Sequence, residues 1–260
     1  MSLILKDKKF GSTNKQWKKI ALVKGGKNDG EFVYQSEGHE SDGVSSVKMD
    51  SKGILQPLPD FSRHEKLYAA ANSGAGKTFY IANWLKQWYK KSKNKDKPLY
   101  IFSAVEEDET LDNFPNAERI GIDSDLIDNP ISLEDLSDSF ILFDDVDTIS
   151  HPTLRKIVLN LRDHALQAGR HYGITMGCTS HVISNYSKTR ILLAEATSVT
   201  FFPRMSGAFQ IRKYLETQAG FNKEEIQRFL KQPSRWVTLY KKYNGYIISE
   251  KECYLIHDDF

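Results

Sequence analysis

Two short stretches hold the side chains whose types and spacing could do chemistry. The first is AANSGAGKTFY, residues 70–80. A loop that wraps phosphates needs converging backbone N–H groups at a helix N-terminus, a lysine for the outer phosphates and a hydroxyl for Mg²⁺. Ser73, Gly74, Ala75, Gly76, Lys77 and Thr78 supply that set. They are expected to bind ATP, with Lys77 on the outer phosphates and Thr78 on Mg²⁺. The first glycine of the usual pattern is replaced by Ala71. Alanine is the least bulky replacement, and it is costly only where a positive φ is required. The second stretch is SFILFDDVD, residues 139–147. Phe140 to Phe143 read as a strand buried on both faces, with Asp144 and Asp145 at its C-terminal end, where open α/β sheets place their ligands. Asp144 is expected to hold Mg²⁺ through water, and Asp145 to position or deprotonate the attacking water. Asp147 reads as turn or helix-cap chemistry. Either stretch alone has a plainer explanation, a glycine-rich turn or an acidic strand end. Together, at an ordinary separation, they predict a nucleotide site.

The surrounding elements fit that purpose. KLYAAA reads as a strand ending at the glycine loop, and Lys77 to Tyr89 has helical apolar spacing. PLYIFSA, ERIGI, SFILFDDVD, YGITMGCTS and TSVTFFP read as further strands. Residues His151 to Gly169, Ala208–Gln218 and Lys223–Leu230 read as helices. The tail from Arg235 to Ile256 reads as strands around an Asn244-Gly245 turn. The alternation predicts an α/β fold, a P-loop NTPase with a mostly parallel central sheet flanked by helices, over residues 61–260. The first sixty residues differ. Ile20–Val23, Glu31–Tyr34 and VSSVKMD are short β-like runs, and SEGHESDG between them reads as a loop. Residues 1–60 are expected to form a small β-rich arm or appendage, and ILQPLPDFSRHE a proline-punctuated approach to the main domain.

Composition sets limits. Hydrophobic residues at 40% and charged residues at 27% allow a packed core and argue against global disorder. A formal net charge of +2 does not announce a nucleic-acid binder. Two cysteines, Cys178 and Cys253, make no disulfide framework and suggest a reducing compartment. The apolar run in MSLILKDKKFG is too short for a signal peptide, and no later stretch approaches a membrane span. His164, His171, Cys178 and His181 lack a paired zinc-ligand spacing. The run KKSKNKDK, Lys90 to Lys97, is either a solvated loop or a contact to DNA phosphates. Trp84, Trp88 and Tyr89 beside it read as helix core.

From ILFDDVD through LQAGRHYGI to GCTSH and VTFFP, the chain resembles the DNA-packaging ATPases of large double-stranded DNA viruses, members of the FtsK–HerA class of ring-forming DNA pumps. The resemblance spans Leu58 to Gln218. Its most specific part is Gly169, Arg170 and His171, set between a helix and the next strand. It implies an ATP- and Mg²⁺-dependent motor that drives double-stranded DNA of any sequence into a capsid. It also implies a homo-oligomeric ring, a capsid-protein partner, and work in the host cytoplasm or viral factory. In such rings a neighbouring subunit contributes an arginine. Arg170 matches the triplet; Arg162 and Arg190 are alternatives. Two departures stand out. Asp145 occupies a position where many members carry glutamate. Thr179, Ser180 and His181 stand where members carry a glutamine that senses the outer phosphate, a role a hydroxyl or imidazole could take. A nucleotide-dependent switch or assembly factor is the competing reading. A helicase-like ATPase would need further ordered motifs, and 260 residues leave no room for a second RecA-like domain. For a motor, DNA contacts are expected first from the lysines of 90–97, then from Lys213, Lys223 and Lys231.

Overall fold

The structure is a computed structural model that describes all residues except 15, 37–42, 184–185, 242–244 and 257–260. Its contacts divide the chain into two compact units, Met1–Asp60 with Thr200–Phe260, and Phe61–Val199.

The chain begins in the first unit with β1 (Leu3–Lys6), the short α1 (Phe10–Thr13), β2 (Trp17–Lys24), β3 (Phe32–Ser36), β4 (Ser46–Lys48) and β5 (Ile54–Pro57). Four of these strands pair antiparallel in the order β1-β3-β2-β5. Neither β1 nor β5 is expected from the sequence. Both are four residues long, too short to show alternation, and Pro57 is tolerated because β5 lies at a sheet edge.

The second unit carries β6 (Lys66–Ala70), α2 (Lys77–Tyr89), β7 (Leu99–Ser103), α3 (Glu109–Asp112), β8 (Ala117–Ile120), α4 (Asp125–Asp128), β9 (Phe140–Asp144), α5 (Pro152–Ala168), β10 (Thr175–Ser180) and α6 (Tyr186–Glu195). Its strands run parallel in the order β6-β10-β9-β7-β8. All five residues of β9 are buried, as its unbroken apolar run requires. Trp84 and Trp88, on the buried side of α2, pack on Phe140 at 6.0 and 5.6 Å between ring centroids, so they are helix core. Phe102 stacks on Phe143 across β7 and β9 at 5.1 Å. Helix α5 starts where Pro152 fits its first turn and the Nδ1 of His151 accepts the Leu154 N–H.

Strand β11 (Ser198–Phe201) carries the chain back to the first unit, followed by α7 (Ala208–Thr217), α8 (Lys223–Leu230), β12 (Val237–Tyr240), β13 (Tyr246–Ser249) and β14 (Glu252–Leu255). A reciprocal capping box between Asn222 and Glu225 sets the start of α8. The turn expected at Asn244-Gly245 has Asn244 outside the described residues, as is most of the loop expected at 36–43.

The tail does not follow the division at 60/61 that the sequence suggests. Strands β12, β13 and β14 form antiparallel ladders, and β14 pairs with β4 of the N-terminal region. Leu3, Ile20, Val33 and Leu55 share one buried core with Tyr240, Ile248 and Cys253. Neither end of the chain can bury its apolar faces without the other. The pairing partner of a strand is not encoded locally, so no reading of short windows reaches it.

Candidate active site

The glycine loop lies between β6 and α2, at the C-terminal ends of the parallel strands. Gly74 and Gly76 take φ values of 76° and 97°, the left-handed region that an L side chain enters only at a cost. Ala71 is not among the residues with positive φ, so its methyl group costs the loop nothing. Its backbone is fully used: the N–H donates to the Ser180 carbonyl at 3.1 Å, and the carbonyl accepts from Lys77 Nζ at 3.0 Å. Lys77 is buried, and its ammonium also lies 3.2 Å from Asp145 Oδ2. Thr78 follows it in the first turn of α2 and is partly exposed.

Asp144 is the last residue of β9 and only 6% exposed. Thr179 Oγ1 donates to its Oδ1 at 2.8 Å, and Ser103 Oγ donates to its Oδ2 at 3.2 Å. Burial pushes the pKa of Asp144 up; the Thr179 hydrogen bond pulls it back, the neighbouring charge of Asp145 pushes it up again, and the Ser103 hydrogen bond opposes. Asp145 adopts φ 47°, ψ 33°, a left-handed conformation that aspartate tolerates better than most residues. That turn points its N–H at Thr179 Oγ1, 2.8 Å away, and its carboxylate back toward the loop. Oδ2 meets Lys77 Nζ at 3.2 Å and His181 Nε2 at 3.0 Å. Thr179 therefore joins both acids, through one donated and one accepted hydrogen bond. Asp147 is tied to Ser180 Oγ at 3.3 Å, and its buried Oδ1 has no partner among the described residues.

Lys77, Asp144 and Asp145 thus converge at one edge, with Ser103 and Thr179 added to them. The sequence singles out Thr179 only as a possible sensor, and it says nothing of Ser103. The signal available was position: Ser103 ends a strand that pairs in register with Asp144.

The arginines lie elsewhere. Arg170 is exposed in the short turn Gly169–Tyr172 that precedes β10, with its Nε 3.4 Å from His171 Nε2. The length of β10, about 20 Å at roughly 3.3 Å per residue, separates it from the loop of its own chain. Arg162 is only 6% exposed and donates twice to Asp163, at 2.9 and 2.7 Å. A guanidinium so buried and paired is not available to another subunit in this conformation, contrary to its place among the finger candidates. Arg190 is exposed on α6. Cys178 is buried in β10, and burial raises its thiol to about 12, so it behaves as a small apolar group. Lysines 90, 91, 93 and 95 are exposed, at the end of the sheet opposite the loop. Lys213, Lys223 and Lys231 are exposed in the other unit.

No protein-family model matches the chain. The Sputnik virophage protein V3, itself uncharacterized, is 37% identical over 243 residues, which cover 93% of this chain and 96% of V3. Among solved structures, the fold is similar to B204, the DNA-packaging ATPase of Sulfolobus turreted icosahedral virus. The TM-score is 0.50 at 12% identity, over 72% of this chain and 98% of B204. A looser likeness, TM-score 0.47 at 10% identity, extends over 96% of this chain and 80% of the pCW3 conjugation coupling protein TcpA. The chain belongs to the family of the virophage protein V3, and it is built on the P-loop ATPase fold.

Proposed function

We propose that this chain is an ATP-hydrolysing motor that translocates double-stranded DNA, and that its task is to package a viral genome into a capsid. The observation that carries the reading is the array of buried Lys77 and Asp144 with half-buried Asp145 on a P-loop fold. The fold likeness to a DNA-packaging ATPase and the virophage relative support the choice of cargo.

In this reading the N–H groups of Ser73 to Thr78 wrap the phosphates, and Lys77 supplies a point charge to the outer ones. Mg²⁺ fits the donors present: a hard cation takes oxygen ligands, and Asp144 is a buried carboxylate that accepts hydrogen bonds from two neutral hydroxyls. Thr78 and Asp144 would hold it, Asp144 through water. When bound, the ion neutralises charge on the phosphates. Asp145 orients the attacking water and takes its proton. The water oxygen bonds to the γ-phosphorus as the bond to the bridging oxygen breaks, leaving ADP and phosphate. Arg170 cannot serve its own site across the length of β10, so it acts on a neighbour's, and function requires a ring.

A motor must pass every sequence, so its DNA contacts go to phosphates. The exposed lysines of 90–97 are the first contacts and Lys213, Lys223 and Lys231 the next. A capsid protein is the docking partner, and the host cytoplasm or viral factory the place of work. No helix among the described residues is long and apolar enough to cross a membrane.

The test is ATP turnover with and without duplex DNA at several salt concentrations. The expected result is stimulation that falls steeply with salt, as counterion release requires. Neutralising Lys90, Lys91, Lys93 and Lys95 together should reduce that stimulation and leave DNA-independent turnover in place. Turnover indifferent to duplex at low salt, in assembled rings, would replace the motor with a nucleotide-dependent switch.

A further inference from the structure

Asp145 is held from three sides. Its backbone N–H is fixed by Thr179, and its Oδ2 is shared by Lys77 and His181. His181 Nε2 lies 3.0 Å from that carboxylate, within reach to donate to it when this nitrogen carries the ring proton. Lys77 is anchored on its other side by the Ala71 carbonyl. Asp145 thus competes for the same ammonium that the outer phosphates of a nucleotide would need.

The two partners of Oδ2 differ in what nucleotide does to them. Lys77 belongs to the loop, and a bound phosphate competes directly for its ammonium. His181 follows β10, is about one-third exposed, and reaches Asp145 from outside the loop. When phosphate takes Lys77, Asp145 loses a cation but keeps its grip on His181 and Thr179. We infer that His181 is the positioning residue of this site, and that it holds Asp145 in line for water once ATP has drawn Lys77 away. ATP binding and the arming of Asp145 then become one event. This assignment rests on the ATPase reading. It differs from a phosphate sensor, because the imidazole acts on the carboxylate and not on the nucleotide.

Two measurements test it, on the full chain: equilibrium binding of a non-hydrolysable ATP analogue, with and without Mg²⁺, and steady-state turnover resolved into kcat and KM. His181→Ala should lower kcat by about 10- to 100-fold, as loss of an orienting partner does, with analogue affinity close to wild type. His181→Gln, whose amide can donate to the same oxygen, should recover most of the loss. Asp145→Asn removes the charge that competes for Lys77, and should bind the analogue several-fold tighter without Mg²⁺ while turning over at least about 10²-fold more slowly. The inference is overturned if His181→Ala leaves kcat unchanged, if it weakens analogue binding as much as it lowers kcat/KM, if His181→Gln is no better than alanine, or if Asp145→Asn fails to tighten binding. Any of these in an enzyme whose wild type binds and hydrolyses ATP leaves the ATPase reading standing. A wild type that binds no analogue overturns both.

Discussion

The two ends of the parallel sheet both carry charged side chains and use them in opposite ways. At the C-terminal end, Lys77 and Asp144 are 5% and 6% exposed, and Asp145, Thr179, Ser103 and His181 link to them in one connected network. At the N-terminal end, Lys97 pairs with Asp138, which is largely exposed, Glu134 contacts Tyr172, and Arg170 stands in solvent beside His171. The residue types hardly differ. What differs is water. Charges taken out of water interact strongly and are costly to leave unpaired, so their arrangement is fixed and chemically useful. Charges left in water are screened, and each pair is worth little.

The largest break in that contrast should come from Lys77→Ala. It removes the one buried cation among the described residues of the loop, and it should abolish nucleotide binding and turnover together, measured by analogue binding and phosphate release. Survival of both would show the loop to be a decoy. Next is Arg170→Ala, from the exposed end. Here a single surface residue should matter as much as a buried one, with turnover down by about 10³–10⁵-fold, because the neighbour's site desolvates it. Mixing Lys77→Ala and Arg170→Ala subunits should restore activity above either alone. Activity that is independent of protein concentration and unaffected by Arg170→Ala would mean the site is complete within one chain.

A smaller effect is expected on stability. The pKa of Asp144 is raised in the folded state, so its protonated form favours folding; that stabilisation is present below the unfolded pKa and lost as pH rises through the folded one. The nucleotide-free protein should therefore melt higher as Asp144→Asn than as wild type at neutral pH, and the difference should shrink on acidification. Equal melting temperatures at neutral pH would show that the two hydroxyls fully compensate the buried charge. The smallest effect belongs to Asp138→Asn. Asparagine keeps the preference for the positive φ at this position, 53°, and deletes only the charge. The expected loss is about 0.2–1 kcal/mol in denaturant unfolding, with turnover unchanged. A loss of several kcal/mol would end the distinction drawn between the two ends of the sheet.

Much of the site was legible because its signals are local. A lysine and hydroxyl after two glycines, and two acids after four apolar residues, read the same in a line as in space. Helix α2 matches its expected bounds, and so does α8. What was not legible depends on register. Ser103 reaches Asp144 only because β7 and β9 pair without offset, and His181 reaches Asp145 only because β10 lies between β6 and β9. Arg162 shows the opposite failure: the sequence leaves it among the finger candidates, but its position on the buried side of α5 decides against it. Ala71 departs from the usual glycine at no cost, because the backbone there does not take a positive φ, which sequence alone does not specify.

The pairing of β14 with β4 has a consequence for how the molecule comes into being. Lys251 donates from its ammonium to the carbonyls of Asp50, Ser51 and Gly53, across 201, 200 and 198 residues of chain. The unit Phe61–Val199 is continuous in sequence and has all its strands as soon as that stretch leaves the ribosome. The first sixty residues are made earliest and finished last. They wait, with β4 lacking its neighbour, until the tail arrives, so the unit Phe61–Val199 is complete on the nascent chain before that pairing closes.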